Sequence, residues 1–137
     1  MNTSTPLSDA HTLCKHTDLP VVVVGAGLAG LTVALHLADH APVIVLAKRK
    51  LEISATASAQ GGIVGVLGKD DSIASHVHDT LDAGAGIVDE RTAQHIAQHS
   101  KAAIAWLVAQ GVPFSPDAQG PLGLHLTREG GHTVRRI

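Results

Sequence analysis

The 137 residues carry a formal net charge of -2, with 45% hydrophobic and 16% charged side chains, one Trp, one Phe and no Tyr. That length suits one domain, commonly about 100 to 150 residues, and its core has to be aliphatic. Interspersed charge gives no broad positive field for nucleic acid, and Cys14, the only cysteine, excludes an intrachain disulfide and fits a reducing cytoplasm.

Residues 1–18 mix Ser, Thr, His and Asp with no apolar signal core, and read as a disordered tail. After Pro20, the block Val21–Val24 reads as a parallel strand buried on both faces. The turn Gly25-Ala26-Gly27-Leu28-Ala29-Gly30 follows. Leu28, Leu31, Leu35 and Ala38 then recur at helical spacing, and Pro42 stops that helix. Residues 43–47 form a second apolar strand, so strand, turn, helix and strand make one βαβ unit, with a right-handed crossover expected. The uncharged run 19–35 approaches the roughly 20 residues of a membrane span. Its glycines, each costing about 1 kcal/mol in a helix interior, and its β-branched start argue against that reading.

Lys48-Arg49-Lys50 marks the exit of the second strand, and the small residues 54–59 lead into Gln60-Gly61-Gly62, a stretch rich in backbone access that reads as a functional loop. The spacing predicts a helix from Ser72 through Leu81, ended by Gly84 and Gly86. Asp89 then caps a long helix in which Ala93, Ile96, Ile104, Leu107 and Val108 line one face, Trp106 lies near it and Gly111 is the stop. Residues 112–137 show no clear period and contain the polar cluster His125 to His132.

A GxGxxG turn alone is a weak signal, but between a strand and a helix inside a βαβ unit it points to a dinucleotide. Gly25 permits the turn, Gly27 the close approach of a pyrophosphate, and Gly30 the packing of helix on strand; the helix N-terminus supplies N–H groups for the anion. The acidic residue that usually receives the ribose hydroxyls is missing, since Ala47 and Lys48 stand there. Cations at that corner leave an NADP-binding oxidoreductase domain open beside an FAD domain. The ten histidines carry no HExxH, and His76 and His78, two apart on a helix, point in different directions, so no metal site is expected. His125, Arg128, Glu129 and His132 crowd cations and a carboxylate among glycines, either as a polar loop or as part of a site.

Three motifs together, Val-Val-Gly-Ala-Gly-Leu-Ala-Gly at 23–30, Ser-Ala-Gln-Gly-Gly-Ile at 58–63 and His-Leu-Thr-Arg-Glu-Gly-Gly-His at 125–132 with Arg135-Arg136-Ile137 after it, resemble the flavoprotein family of succinate dehydrogenases, fumarate reductases and L-aspartate oxidases. The L-aspartate oxidase branch is the better match. The resemblance implies an α/β, Rossmann-like FAD-binding domain over residues 19–137, incomplete and without the capping and C-terminal helical domains. It implies FAD against Gly25, Ala26, Gly27, Leu28, Ala29 and Gly30, with Lys48 in place of the acidic residue, a substitution common in that branch that weakens the NADP reading. It implies that Ala55, Thr56, Ala57, Ser58, Ala59, Gln60, Gly61 and Gly62 run along the cofactor, although Ser58 stands where an aromatic residue is common. Ala55 occupies the place of the histidine that links FAD in the dehydrogenases, so noncovalent FAD is implied. Glu129 would orient the substrate. The activity implied is oxidation of L-aspartate to iminosuccinate with O2 or fumarate as acceptor, feeding quinolinate synthase and NAD synthesis. A piece of 137 residues would supply only the ADP-binding part, and an inactive, non-enzymatic fragment is the remaining alternative.

Overall fold

The computed structural model describes residues 19–51, 53, 54, 56–59 and 62–137. The expected tail, 1–18, lies outside them. The described residues fall into two compact units, one up to residue 59 and one from residue 62.

In the first unit β1 (Val21–Val24) pairs in parallel with β2 (Val43–Leu46), in register from Val21 opposite Val43 to Val24 opposite Leu46. Between them runs α1 (Leu28–Ala38), packed on both strands. The expected βαβ unit is therefore present, with β2 one residue shorter than its apolar run. The expectation of burial on both strand faces is corrected. Val23, Val43 and Val45 are half-buried, whereas Val22, Val24, Ile44 and Leu46 are exposed, Val24 by 82%. Side chains alternate across a strand, so one helix covers only one face of a two-stranded sheet. Ala34 is the buried residue of α1.

The second unit is built on the packed pair α2 (Ile73–Ala83) and α3 (Glu90–Ala109), joined by a short connection. Ser72 caps α2 by accepting from the Ser75 N–H at 3.1 Å, and Asp89 caps α3 by accepting from the Thr92 N–H at 2.7 Å. Gly111, at φ +84°, ends α3: its N–H meets the Val108 carbonyl and the Val112 N–H the Leu107 carbonyl, the pairing of a Schellman motif. Val77, Ala93 and Ala97 form the core of the helix pair, with Leu81 and Val88 against it.

The buried seam of α3 runs Ala93, Ala97, Ser100, Ile104, Leu107. Ile96 and Val108, expected on that face, lie beside it, Ile96 61% exposed. Steps of four and three residues keep a straight seam, which the backbone of Gly65 approaches at Ser100 and Ile104. A Cβ at Gly65 would overlap Ile104 Cδ1 and stand 3.1 Å from Ser100 Cβ. Ser100 Oγ also accepts from the Val66 N–H at 3.3 Å. Residues 112–137, aperiodic in sequence, hold a 3-10 turn, Pro121–Gly123, and two isolated antiparallel bridges, Pro116 with Leu124 and Thr127 with Arg136.

Candidate functional site

The glycine turn of the first unit is shaped by backbone rather than side chains. Gly25 sits at φ +109°, where other residues are strained, and its N–H bonds the Leu46 carbonyl at 2.9 Å, tying the turn to the end of β2. A Cβ on Gly30 would overlap the Gly25 carbonyl oxygen and stand 3.0 Å from its carbon, so only glycine lets α1 close on the strand. The first helical bond runs from the Leu31 N–H to the Gly27 carbonyl, leaving the N–H groups of residues 28–30 without partners inside the helix. Gly27 provides no side-chain cap, and the first turn holds no acidic residue. The Leu28 N–H donates to Thr56 Oγ1 at 3.2 Å. The turn, Thr56 and the start of α1 thus form one patch of hydrogen-bonding donors with a positive helix end, chemistry that suits an anion.

In the second unit Glu129 opens a four-residue turn: the His132 N–H donates to the Glu129 carbonyl at 3.1 Å, with Gly131 at φ +83° in the third place, as a type II turn requires. Arg128 Nε donates to the His132 carbonyl at 2.9 Å. Glu129 is exposed. The stems of this loop are fixed to α2. The Asp79 carboxylate accepts from the Thr133 N–H and Oγ1, each at 2.9 Å, and from Arg136 Nη1 at 2.6 Å. Arg136, fully buried, also donates to Asp71 at 2.7 and 2.9 Å. The Thr133 N–H foremost, against the opposing effect of burial, and then Arg136 and the Thr133 hydroxyl lower Asp79 to a pKa of about 2. Burial works to raise Asp71, but hydrogen bonds from Arg136 and the Ser72 N–H outweigh it and hold it below the usual range. Burial and the neighbouring Arg136 lower His76, whose ring stands edge-on to His132 at 6.3 Å. Val64, His76, Asp79, Gly130 and His132 line a cavity of about 210 Å³ under the turn. A larger one, about 510 Å³, lies among Ile73, Val77, Leu81 and Gln94 and touches none of the expected site residues.

The chain matches the family described as FAD binding domain over residues 20–137. It belongs to that family. FAD is the cofactor of this domain. L-aspartate oxidase 1 of Ralstonia nicotianae is 59% identical over 120 residues, an overlap of 88% of this chain and 22% of that protein. L-aspartate oxidase of Vibrio cholerae is 51% identical over 120 residues, 85% of this chain and 22% of that one. Among solved structures, a mutant of E. coli quinol fumarate reductase FrdA superposes with a TM-score of 0.77 at 28% identity, covering 86% of this chain and 20% of that chain. Mycobacterium smegmatis Sdh1 in the apo form gives 0.76 at 29%, with the same coverage. The chain spans about a fifth of the length of the curated relatives it matches.

The residues present fit an FAD pyrophosphate: a start of α1 that Gly27 leaves without a side-chain cap, the missing first-turn carboxylate and the glycine-only packing at residue 30 all belong to such a cradle. Gly25, Ala26, Gly27, Leu28, Ala29 and Gly30 come together there with Thr56. Lys48 follows β2 and is exposed, as are Ala57, Ser58 and Ala59. Ala55, Gln60 and Gly61 lie outside the described residues, and Gly62 and Glu129 belong to the second unit. Among the described residues no group of three His, Cys, Asp or Glu gathers for a metal, and no helix is long and apolar enough to cross a membrane. Sequence reasoning missed Asp71, Asp79 and Thr133. An aspartate inside a helix beside buried Val77 was a usable signal, because a carboxylate on a packed face requires a cation.

Proposed function

We propose that this chain is the FAD-binding part of an FAD-dependent L-aspartate oxidase, both units belonging to one domain over residues 19–137. The 59% identity to an L-aspartate oxidase over 120 residues carries the reading. Gly25 to Gly30 cradle the pyrophosphate on backbone N–H groups, the Thr56 hydroxyl adds a polar contact beside them, and Lys48 stands where the ribose is met. Residues 55–62 line the cofactor towards its ring system, and Ala55, which offers no nucleophile, leaves it noncovalent. When bound, FAD supplies the acceptor for the hydride from the L-aspartate α-carbon, with O2 or fumarate as final acceptor and iminosuccinate as product. Glu129 orients the substrate by receiving its ammonium group. The product passes to quinolinate synthase in the cytoplasm, as the first step towards NAD.

The test is the visible spectrum of the longest natural form of the protein, without oxygen, before and after L-aspartate. Flavin absorbance bleached by L-aspartate but not by succinate is the expected result. A flavin-free protein that binds NADPH would overturn the reading in favour of the nicotinamide alternative, which draws on Lys48, Arg49 and Lys50 alone.

A further inference from the structure

Glu129 lies on an exposed turn, yet an exposed turn by itself does not hold a carboxylate in one place, because side chain and backbone both lose entropy on being fixed. What fixes this turn is α2. Three successive positions along one face of that helix meet the loop: His76 stands edge-on to His132, Asp79 binds Thr133 and Arg136, and Ala83 lies where a Cβ on Gly131 would come to 3.4 Å. Beyond the turn, Thr127 and Arg136 exchange both backbone hydrogen bonds at 2.8 Å, closing the loop at its base. Arg136 then carries that base to Asp71 and to Ser75 Oγ at 3.2 Å. A single oxygen, Asp79 Oδ2, receives the Thr133 backbone, the Thr133 hydroxyl and Arg136, and so ties the descending arm of the loop to the helix at two successive anchor points. Three donors on one buried carboxylate oxygen exceed what neutralising Arg136 needs, since Asp71 already accepts two bonds from it.

We propose that Asp79 is a positioning residue that sets Glu129 for the substrate's ammonium group through Thr133 and Arg136; the inference rests on the Glu129 role proposed above. Asp79 touches neither substrate nor cofactor. Its effect passes entirely through the placement of one carboxylate, and misplacement of a binding group by about 1 Å costs up to a hundredfold.

The test is a double-mutant cycle in the longest natural form with FAD bound, reading KM and kcat for L-aspartate. Asp79→Asn and the milder Thr133→Val, which removes only the hydroxyl donor, are each made alone and with Glu129→Gln, while flavin content and Trp106 fluorescence report folding. Expected is a KM raised about ten- to a hundredfold by Asp79→Asn, less by Thr133→Val, with kcat altered little and no further rise when Glu129→Gln is already present. An equal rise in both backgrounds, or none from either variant in a folded protein, overturns the proposal while Glu129→Gln still raises KM. If Glu129→Gln itself leaves KM unchanged, the role of Glu129 falls, and Asp79's with it. Thr133→Val decides the matter should Asp79→Asn fail to fold.

Discussion

Arg136→Met removes a cation from between two carboxylates that remain buried. Arg136 and Asp71 have fully covered side chains, and Asp79 is 4% exposed. Methionine replaces much of the arginine stem, so the change is mainly one of charge and hydrogen bonding: the bonds to Asp71, Asp79 and Ser75 are lost together. Breaking a buried ion pair by deleting one partner costs about 3–5 kcal/mol, because the abandoned charge has no solvent to return to. Set against a total stability of about 5–15 kcal/mol for a domain, the variant should be close to unfolding under mild conditions. Urea titration of the 137-residue chain followed by Trp106 fluorescence measures this directly, since the only tryptophan sits on α3 of the same unit. Adding Asp71→Asn and Asp79→Asn to Arg136→Met should restore a large part of the loss, as neutral amides are far cheaper to bury than carboxylates. A midpoint for Arg136→Met within about 1 kcal/mol of the parent, or a triple variant no more stable than the single one, would refute the charge argument.

Acid should destabilise the second unit in two steps. Asp79 has its folded pKa lowered from 3.8 to about 2, so it contributes stability above its unfolded value, on the order of 2 kcal/mol, lost as pH falls from about 5 through 3.8 towards 2. His76 acts earlier: kept neutral by burial, by Arg136 and by His132, against the pull of Asp71 and Asp79, it costs stability once pH drops below the unfolded value of 6.5. Urea midpoints between pH 8 and 3 check both, and a flat profile would count against the network. In the first unit Gly30→Ala should cost about 1–3 kcal/mol and abolish flavin binding, because the atom it meets is backbone and cannot swing aside. Gly27→Ala meets only Thr56 Oγ1 at 3.5 Å, so circular dichroism should show an intact fold while flavin content drops; full flavin retention in Gly30→Ala would contradict the close packing of turn and helix.

The glycine turn was legible because everything that shapes it is local: a positive φ at Gly25, a close approach at Gly30 and a helix start at Gly27 lie within six residues. The cap Asp89 and the stop at Gly111 were legible for the same reason, while Ser72, expected as the first residue of α2, caps it instead. The anchoring of the Glu129 loop was not. Its bonds join residues 54 to 65 positions apart, and no periodicity links Asp71 and Asp79 to Thr133 and Arg136. The exposed β face was misread because an all-valine strand carries no alternation to show which side a single helix will cover. Ile96 was assigned to the α3 seam by hydrophobicity, whereas the seam runs through Ala97, packed with Val77 and Ala93, and through Ser100, against Gly65.

The two candidate sites therefore answer to different physics. The cradle at residues 25–30 presents main-chain N–H groups, so its chemistry is indifferent to most side chains and intolerant of any Cβ at its closest approach. The Glu129 turn presents a side chain, and its placement depends on charges that sit on another element and are buried with their partners. A Cβ at Gly30 should therefore empty the cradle, whereas loss of the charge at Asp79 in a folded protein should leave flavin in place and disturb the turn. Flavin content thus reports on the cradle, and KM for L-aspartate, read on protein that holds flavin, reports on the turn.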